Sequence, residues 1–183
     1  ICHPRDAIRH RMGYLTEDRK RSGLCLELPS SWNITLPVVG RLGAGPLLDL
    51  RRELALAAEF GRRVCTKWDS PLEPAGWLSG GNQQKLLLAR WIMAGSDFLI
   101  FDEPTRGIDI GAKKEVYELL NVLAGEGKAI LLISSEPPEI FGVCDRVLVM
   151  HEGRIAADLP VADATPEIVM QYAIGANPAA ANA

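Results

Sequence analysis

Residues 98–109 read FLIFDEPTRGID, and this stretch decides the fold class. Phe98, Leu99, Ile100 and Phe101 form a continuous apolar run of the kind buried on both faces of a parallel sheet. The run leads straight into Asp102 and Glu103. Two acids ending a buried strand cost free energy unless a cation meets them. In open α/β sheets, ligands bind beyond the carboxyl ends of the strands. Asp102 could there hold Mg²⁺, directly or through water, and Glu103 could orient or deprotonate an attacking water. The plain alternative is a strand-to-loop turn whose acids face solvent.

About twenty residues upstream, positions 78–84 read LSGGNQQ. Ser79 can cap a helix running to about Met93, with Leu86, Leu87, Trp91 and Ile92 as its apolar positions. Gly80 and Gly81 at the helix start let a ligand approach the backbone, where unpaired N–H groups and the helix dipole favour an anion. An ordinary cap followed by a glycine turn is the alternative for this segment alone.

Further out, residues 12–16 (MGYLT) read as a short strand, followed by the charge cluster Glu17-Asp18-Arg19-Lys20-Arg21, which composition reads as a solvated loop. Residues 28–77 are punctuated by Pro29, Pro37, Gly43, Gly45 and Pro46 and hold one clear helix candidate at about 47–64, the pattern of a small helical lobe. Downstream the pattern predicts a helix over 110–124, ended by Gly125 and Gly127, and a buried strand over 129–133. A short helix near Pro137, strands at 146–150 and 154–158 turning at Gly153, and a helix capped by Thr165 and opened by Pro166 complete it. The tail, residues 176–183, is expected to be disordered. Strands alternating with helices predict an α/β fold with a mainly parallel sheet.

Composition narrows the function classes. Twenty Lys+Arg against 23 Asp+Glu give a formal net charge of −3, so no basic nucleic-acid surface is indicated and no nucleic-acid partner is expected. The 48% hydrophobic and 23% charged fractions argue against disorder, collagen and coiled coil. The longest apolar runs fall far short of the ~20 residues a membrane span needs, and the first residues do not read as a signal peptide. Cys2, Cys25, Cys65 and Cys144 are scattered without a CxxC pair, which fits reduced thiols better than a disulfide frame or a zinc site.

Taken together, LSGGNQQ followed by FLIFDEPTRGID resembles the signature motif, Walker B strand and D-loop of ATP-binding-cassette (ABC) ATPases. PRDAI, GYLTEDRKRSGL, DIGAKKEVYELL, ISSEPPEI and DRVLVMHEGRI extend the likeness from about Pro4 to Gly175. They look like the second nucleotide-binding half of the tandem ATPase subunits of bacterial monosaccharide importers of the ribose, xylose and galactose type. The EDRKR-x-GL segment is the most subfamily-specific piece. The resemblance implies a P-loop NTPase-type α/β core at residues 1–27 and 78–175, partial in this chain, with a helical subdomain at 28–77.

It further implies ATP and Mg²⁺ as cofactors. Ser79, Gly80, Gly81, Asn82 and Gln83 would bind nucleotide held by a facing half, with Ser79, Gly81 and Gln83 touching the γ-phosphate. Asp102 would serve Mg²⁺, Glu103 would be the catalytic carboxylate, Asp109 would cross the dimer seam, and Glu17 and Ser135 would line the chain's own site. Implied partners are an N-terminal nucleotide-binding half or second ATPase subunit, a membrane permease docked on the helical subdomain, and, indirectly, a periplasmic sugar-binding protein. The implied location is the cytoplasmic face of the bacterial inner membrane.

Three departures from the ABC pattern matter. The G-x-x-x-x-G-K-[ST] phosphate loop is missing, and Gly43-Ala44-Gly45-Pro46 lacks its lysine. The simplest expectation is that the chain starts downstream of that loop, which would leave an unpaired apolar edge beside the Walker B strand. Glu17 stands where the family usually has Gln. Ser135 stands where it has a switch histidine, and serine holds no cationic proton near the transition state. The last two fall on the site around Asp102 and Glu103, whereas the signature is intact. The chain is therefore expected to complete a competent ATP site in trans while its own is impaired. Competing readings are a soluble ABC ATPase acting on DNA or ribosomes, against which stands the lack of heptads between Arg21 and Leu78, and a non-catalytic fragment.

Overall fold

The protein is described from a computed structural model, which covers residues 1–44 and 47–176. Of the tail expected over 176–183, residues 177–183, like Gly45 and Pro46, lie outside the described residues. The chain divides into two compact units, Ile1–Ile133 and Ser134–Ala183, each with its own apolar cluster.

In the first unit, β1 (Met12–Leu15), β4 (Phe98–Asp102) and β5 (Ala129–Ile133) form a parallel sheet in the order β1-β4-β5. Register pairs Tyr14 with Ile100, and Ile100 with Leu131. Strand alternation then sorts the faces. Leu15, Leu99 and Phe101 are fully buried on one face, while Tyr14, Leu131 and Ile133 on the other are 49%, 37% and 44% exposed. The apolar run at 98–101 is thus covered on one face far more than on the other. The expected unpaired edge beside this strand is also absent, because β4 lies between β1 and β5 and the outer strands form the edges.

Helix α4 (Gly80–Met93) begins at Ser79, whose hydroxyl accepts from Asn82 N, and residues 83–90 are all buried. A helix this enclosed favours internal partners for its polar side chains, and all of their buried nitrogen and oxygen atoms but the Gln84 amide nitrogen find one among the described residues. Lys85 donates to Glu115 Oε2 at 2.5 Å and to the Cys65 carbonyl at 2.8 Å. Arg90, 7% exposed, donates at 2.6 Å to the carbonyls of both Asn33 and Gly23. Burial pushes the Arg90 pKa down to about 10, which leaves it cationic at neutral pH. It fastens the segment from Gly23 to α2 (Ser30–Thr35) onto α4.

Beyond α2, a 3₁₀ segment (Leu36–Arg41) leads to a short antiparallel pair, β2 (Gly43–Ala44) with β3 (Leu47–Leu48). That pair takes the first residues of the helix predicted over 47–64. Helix α3 (Leu50–Arg63) instead starts after Asp49, whose Oδ1 accepts from Arg52 N at 3.0 Å. Helix α1 (Pro4–Arg9) precedes β1, and α5 (Ile110–Gly125) links β4 to β5, burying Val116, Leu120 and Leu123.

The second unit packs α6 (Pro137–Val143), β6 (Arg146–His151), β7 (Arg154–Pro160) and α7 (Pro166–Ala173) around Val147, Val149, Ala157 and Ala164. β6 and β7 pair antiparallel. Glu152 and Gly153 between them both have positive φ, 45° and 76°, the geometry of a type I′ hairpin turn.

The expectation of an α/β fold with a mainly parallel sheet is therefore corrected. Among the described residues the strands fall into three sheets, one parallel and two antiparallel pairs. Strands are a minor part of the chain, and helices of all kinds take up about half of it. The cause is local: the Glu152-Gly153 turn folds β7 back on β6, while the parallel strands are only four or five residues long. Among the described residues no helix is long and apolar enough to cross a membrane.

Candidate functional site

The start of α4 presents a small polar rim. Ser79 is exposed, and its hydroxyl also accepts from Asn82 Nδ2 at 3.0 Å. Asn82 Oδ1 in turn accepts from Lys67 N at 2.8 Å. Gly80 is half-buried and Gly81 buried. A Cβ on Gly81 would lie 2.7 Å from the Ala112 Cβ of α5, so glycine there permits close helix approach as well as open backbone. Gln83 is 4% exposed, and its amide donates to the carbonyls of Ala75 and Leu78 at 3.3 and 3.1 Å. In this conformation Gln83 faces inward.

The cluster at 17–21 is not simply a solvated loop. Asp18 Oδ1 accepts from the amides of Lys20 and Arg21 at 3.2 and 3.1 Å, capping a single π-helical turn (Arg19–Gly23). That turn delivers the Arg19 guanidinium to Gln83 Oε1 (3.3 Å) and to the carbonyls of Arg106 (2.9 Å) and Gly107 (3.4 Å). Burial holds the Arg19 pKa below the usual arginine value, and Asp18 offsets part of this. Glu17 forms an ion pair with Arg106.

Asp102 and Glu103 sit at the end of β4, both half-buried. The Tyr14 hydroxyl donates to Asp102 Oδ2 at 2.7 Å. Glu103 has φ of 47°, a left-handed backbone rare for a non-glycine residue. Its N–H donates to the Ile133 carbonyl at 2.9 Å, and its carbonyl accepts from Arg106 N. The chain therefore turns sharply at the catalytic candidate and enters the segment that carries Arg106 and Gly107. Asp109 is exposed and caps α5, its Oδ1 accepting from Ala112 N at 3.0 Å.

Glu17, Ser79, Gly80, Gly81, Asn82, Gln83, Asp102, Glu103 and Asp109 all belong to the first unit. Ser135 belongs to the second, exposed beside Ser134, whose hydroxyl donates to Glu139 Oε2 at 2.7 Å and accepts from Glu136 N. Sequence reasoning missed Arg19, Tyr14 and Arg90 as organising groups. The charge cluster at 17–21 was the available signal for Arg19. It also gave no sign of an apolar cavity of about 240 Å³ lined by Leu28, Trp32, Leu36, Val39 and Leu48, where the buried Glu53 accepts from Thr35 Oγ1 at 2.8 Å.

Comparison with known proteins supplies relatives for this arrangement. Residues 7–106 match the ABC transporter family. The ribose import ATP-binding protein RbsA of Yersinia pestis is 49% identical over 175 residues, covering 96% of this chain and 34% of that protein. RbsA of Bacillus subtilis (strain 168) is 44% identical over 175 residues, covering 96% and 36%. Putative ribose/galactose/methyl galactoside import ATP-binding protein 1 of Burkholderia lata is 48% identical over 174 residues, covering 94% and 34%. The chain spans about a third of the length of these curated relatives. Among solved structures, the post-hydrolysis dimer of the ATP-binding cassette MJ0796 bound to ADP and Pi aligns with a TM-score of 0.69. At 18% identity over 85% of this chain and 66% of that one, this likeness speaks to the fold alone.

Proposed function

The chain belongs to the ABC transporter family, and on that premise we propose that it is the ATP-binding and hydrolysing half of a monosaccharide importer. It offers its signature, residues 78–83, in trans to ATP held by a facing half, and carries the Walker B acids of a second site. The observation that carries this reading is the intact α4 start: an exposed Ser79 hydroxyl beside two glycine amides without acceptors among the described residues. Such a helix start favours a polyphosphate. Identity of 44–49% to ribose and galactose import proteins supports the substrate class.

Asp102 and Glu103 fit a magnesium-assisted site. One Asp102 oxygen accepts from Tyr14, and the other has no partner among the described residues, leaving it available to a divalent cation. Mg²⁺ bound there would neutralise charge developing on transferred phosphoryl oxygens. Glu103 orients the attacking water and accepts its proton. Glu17 places a carboxylate at this site where the family usually has Gln, and the part of its charge that the ion pair with Arg106 leaves uncompensated disfavours the nucleotide. The two sites are thereby unequal, with the one completed by Ser79 the more competent.

Residues 1–27 and 78–175 form the ATPase core and residues 28–77 the lobe that receives a membrane permease, the whole acting at the cytoplasmic face of the bacterial inner membrane. A periplasmic sugar-binding protein takes part only through the permease.

The test is purification of the full-length protein. Co-purification with a multi-span permease and sugar-dependent ATP hydrolysis are expected; co-sedimentation with ribosomes in place of a permease would overturn the reading. This chain alone, lacking a G-x-x-x-x-G-K-[ST] loop, is expected to show no appreciable ATP binding by calorimetry, and micromolar binding would contradict the trans arrangement.

A further inference from the structure

We infer that Arg19 is a positioning residue that ties the start of α4 to the turn carrying Arg106 and Gly107, making two separated segments a single body. Three of its nitrogens are engaged at once: Nε on Gln83 Oε1 at 3.3 Å, Nη1 on the Arg106 carbonyl at 2.9 Å and Nη2 on the Gly107 carbonyl at 3.4 Å. The planar fork of arginine holds its donors in fixed, spread directions that match three separated acceptors; a lysine ammonium also has three donors but gathers them on one atom at the end of a flexible stem.

The surroundings are shaped to this guanidinium. A Cβ on Gly80 would lie 2.7 Å from Arg19 Nη2 and 3.3 Å from the Gly107 carbonyl, so the absence of a side chain at position 80 admits the fork. The capping bonds from Asp18 fix the turn that aims Arg19. Glu17, two residues earlier, ties the same segment to Arg106 by an ion pair. Gln83 completes the tie on the α4 side, because its amide is already fixed to the Ala75 and Leu78 carbonyls and its Oε1 is left for Arg19.

The functional consequence rests on the trans arrangement proposed above. The signature at 78–83 and Asp109, two residues beyond Gly107, both face the opposing half in that arrangement. A body that moves as one lets Ser79 and Asp109 reach the partner's nucleotide together. In this role Arg19 acts through Gln83 and the Arg106 and Gly107 carbonyls, so its loss is expected to lower kcat while leaving the KM for ATP unchanged.

The experiment is hydrogen–deuterium exchange on the full-length protein with Arg19→Ala and Arg19→Lys, read beside steady-state ATP hydrolysis. Arg19→Ala is expected to speed exchange about ten-fold in both peptides 79–84 and 105–110, with peptides from β4 and the body of α5 unchanged. Arg19→Lys is expected to recover less than half of that protection. The kcat of Arg19→Ala is expected to fall about ten-fold at constant KM. The inference is overturned if either peptide is unaffected, if exchange rises throughout the first unit, if lysine restores full protection, or if turnover is unchanged while both peptides loosen. A wild-type protein without ATP turnover would instead sink the proposed function, and the exchange result would then decide the tie alone.

Discussion

The Tyr14 hydroxyl donates a 2.7 Å hydrogen bond to Asp102 Oδ2 across the β1–β4 pair. Tyr14 stands opposite Ile100 in the register, so Asp102 is its diagonal neighbour on the same face. The contact joins the residue just ahead of the 17–21 cluster's strand end to the acid proposed for Mg²⁺. The hydrogen bond to Asp102 holds the phenol pKa above its ordinary value, with burial and the aspartate's charge adding to it.

Titration of the Tyr14 ring resonance is therefore expected to show a midpoint above the usual tyrosine value of about 10. Asp102→Asn removes the charge and is expected to return the midpoint toward that value. An unshifted wild-type midpoint would show that the bond is not formed in solution.

Gly81 and Ala112 are expected to be energetically coupled. Gly81→Ala places a methyl 2.7 Å from the Ala112 Cβ, where backbone must give, a cost of about 1–3 kcal/mol for overpacking. Ala112→Gly opens the space at a helix-propensity cost of about 1 kcal/mol. Urea denaturation of both single variants and the double variant should return a coupling of about 1 kcal/mol or more. Simple additivity would contradict the close approach of α4 and α5.

Lys85 is only 2% exposed and depends on Glu115 for its counter-charge. Glu115→Ala is expected to destabilise the protein by roughly 1.5–3 kcal/mol, the usual worth of a hydrogen bond to a charged group. Lys85 first, then Lys67, holds the Glu115 carboxyl below the usual carboxylate range. A depressed folded pKa means that the unfolded chain binds more protons in acid. The stabilisation is thus complete above the unfolded carboxylate value of about 4.3 and is lost as pH falls through the lower folded value. Glu115→Gln should flatten the acid limb of the stability profile, measured as urea midpoint against pH; an unchanged slope would assign that limb to other carboxylates.

Much of the local structure was legible because its signals are local. Ser79 and Thr165 each accept a first-turn amide of the helix they were expected to cap, and the strand at Ala129–Ile133 stands where its apolar run predicted it, although as an edge strand it leaves Ala129, Leu131 and Ile133 exposed rather than buried. The run at 98–101 misled because four apolar residues look alike whether one face or both are covered, and coverage depends on what packs over Tyr14, Leu131 and Ile133. The β6–β7 pair stands where the two apolar runs turning at Gly153 predicted it, although Glu-Gly is a weaker I′ signal than Asn-Gly. The charge cluster pointed to Arg19 but not to its partners, because its acceptors lie 64 to 88 residues away and two of them are backbone carbonyls, which have no sequence signature.

The most direct measurement of the central claim is ATP turnover by the full-length protein in its transporter, compared between Ser79→Arg and Glu103→Gln. Asymmetric sites predict that Ser79→Arg, which blocks the signature offered to the facing half, abolishes turnover, while Glu103→Gln leaves most of it. Loss of turnover in Glu103→Gln together with unaltered turnover in Ser79→Arg would contradict the account.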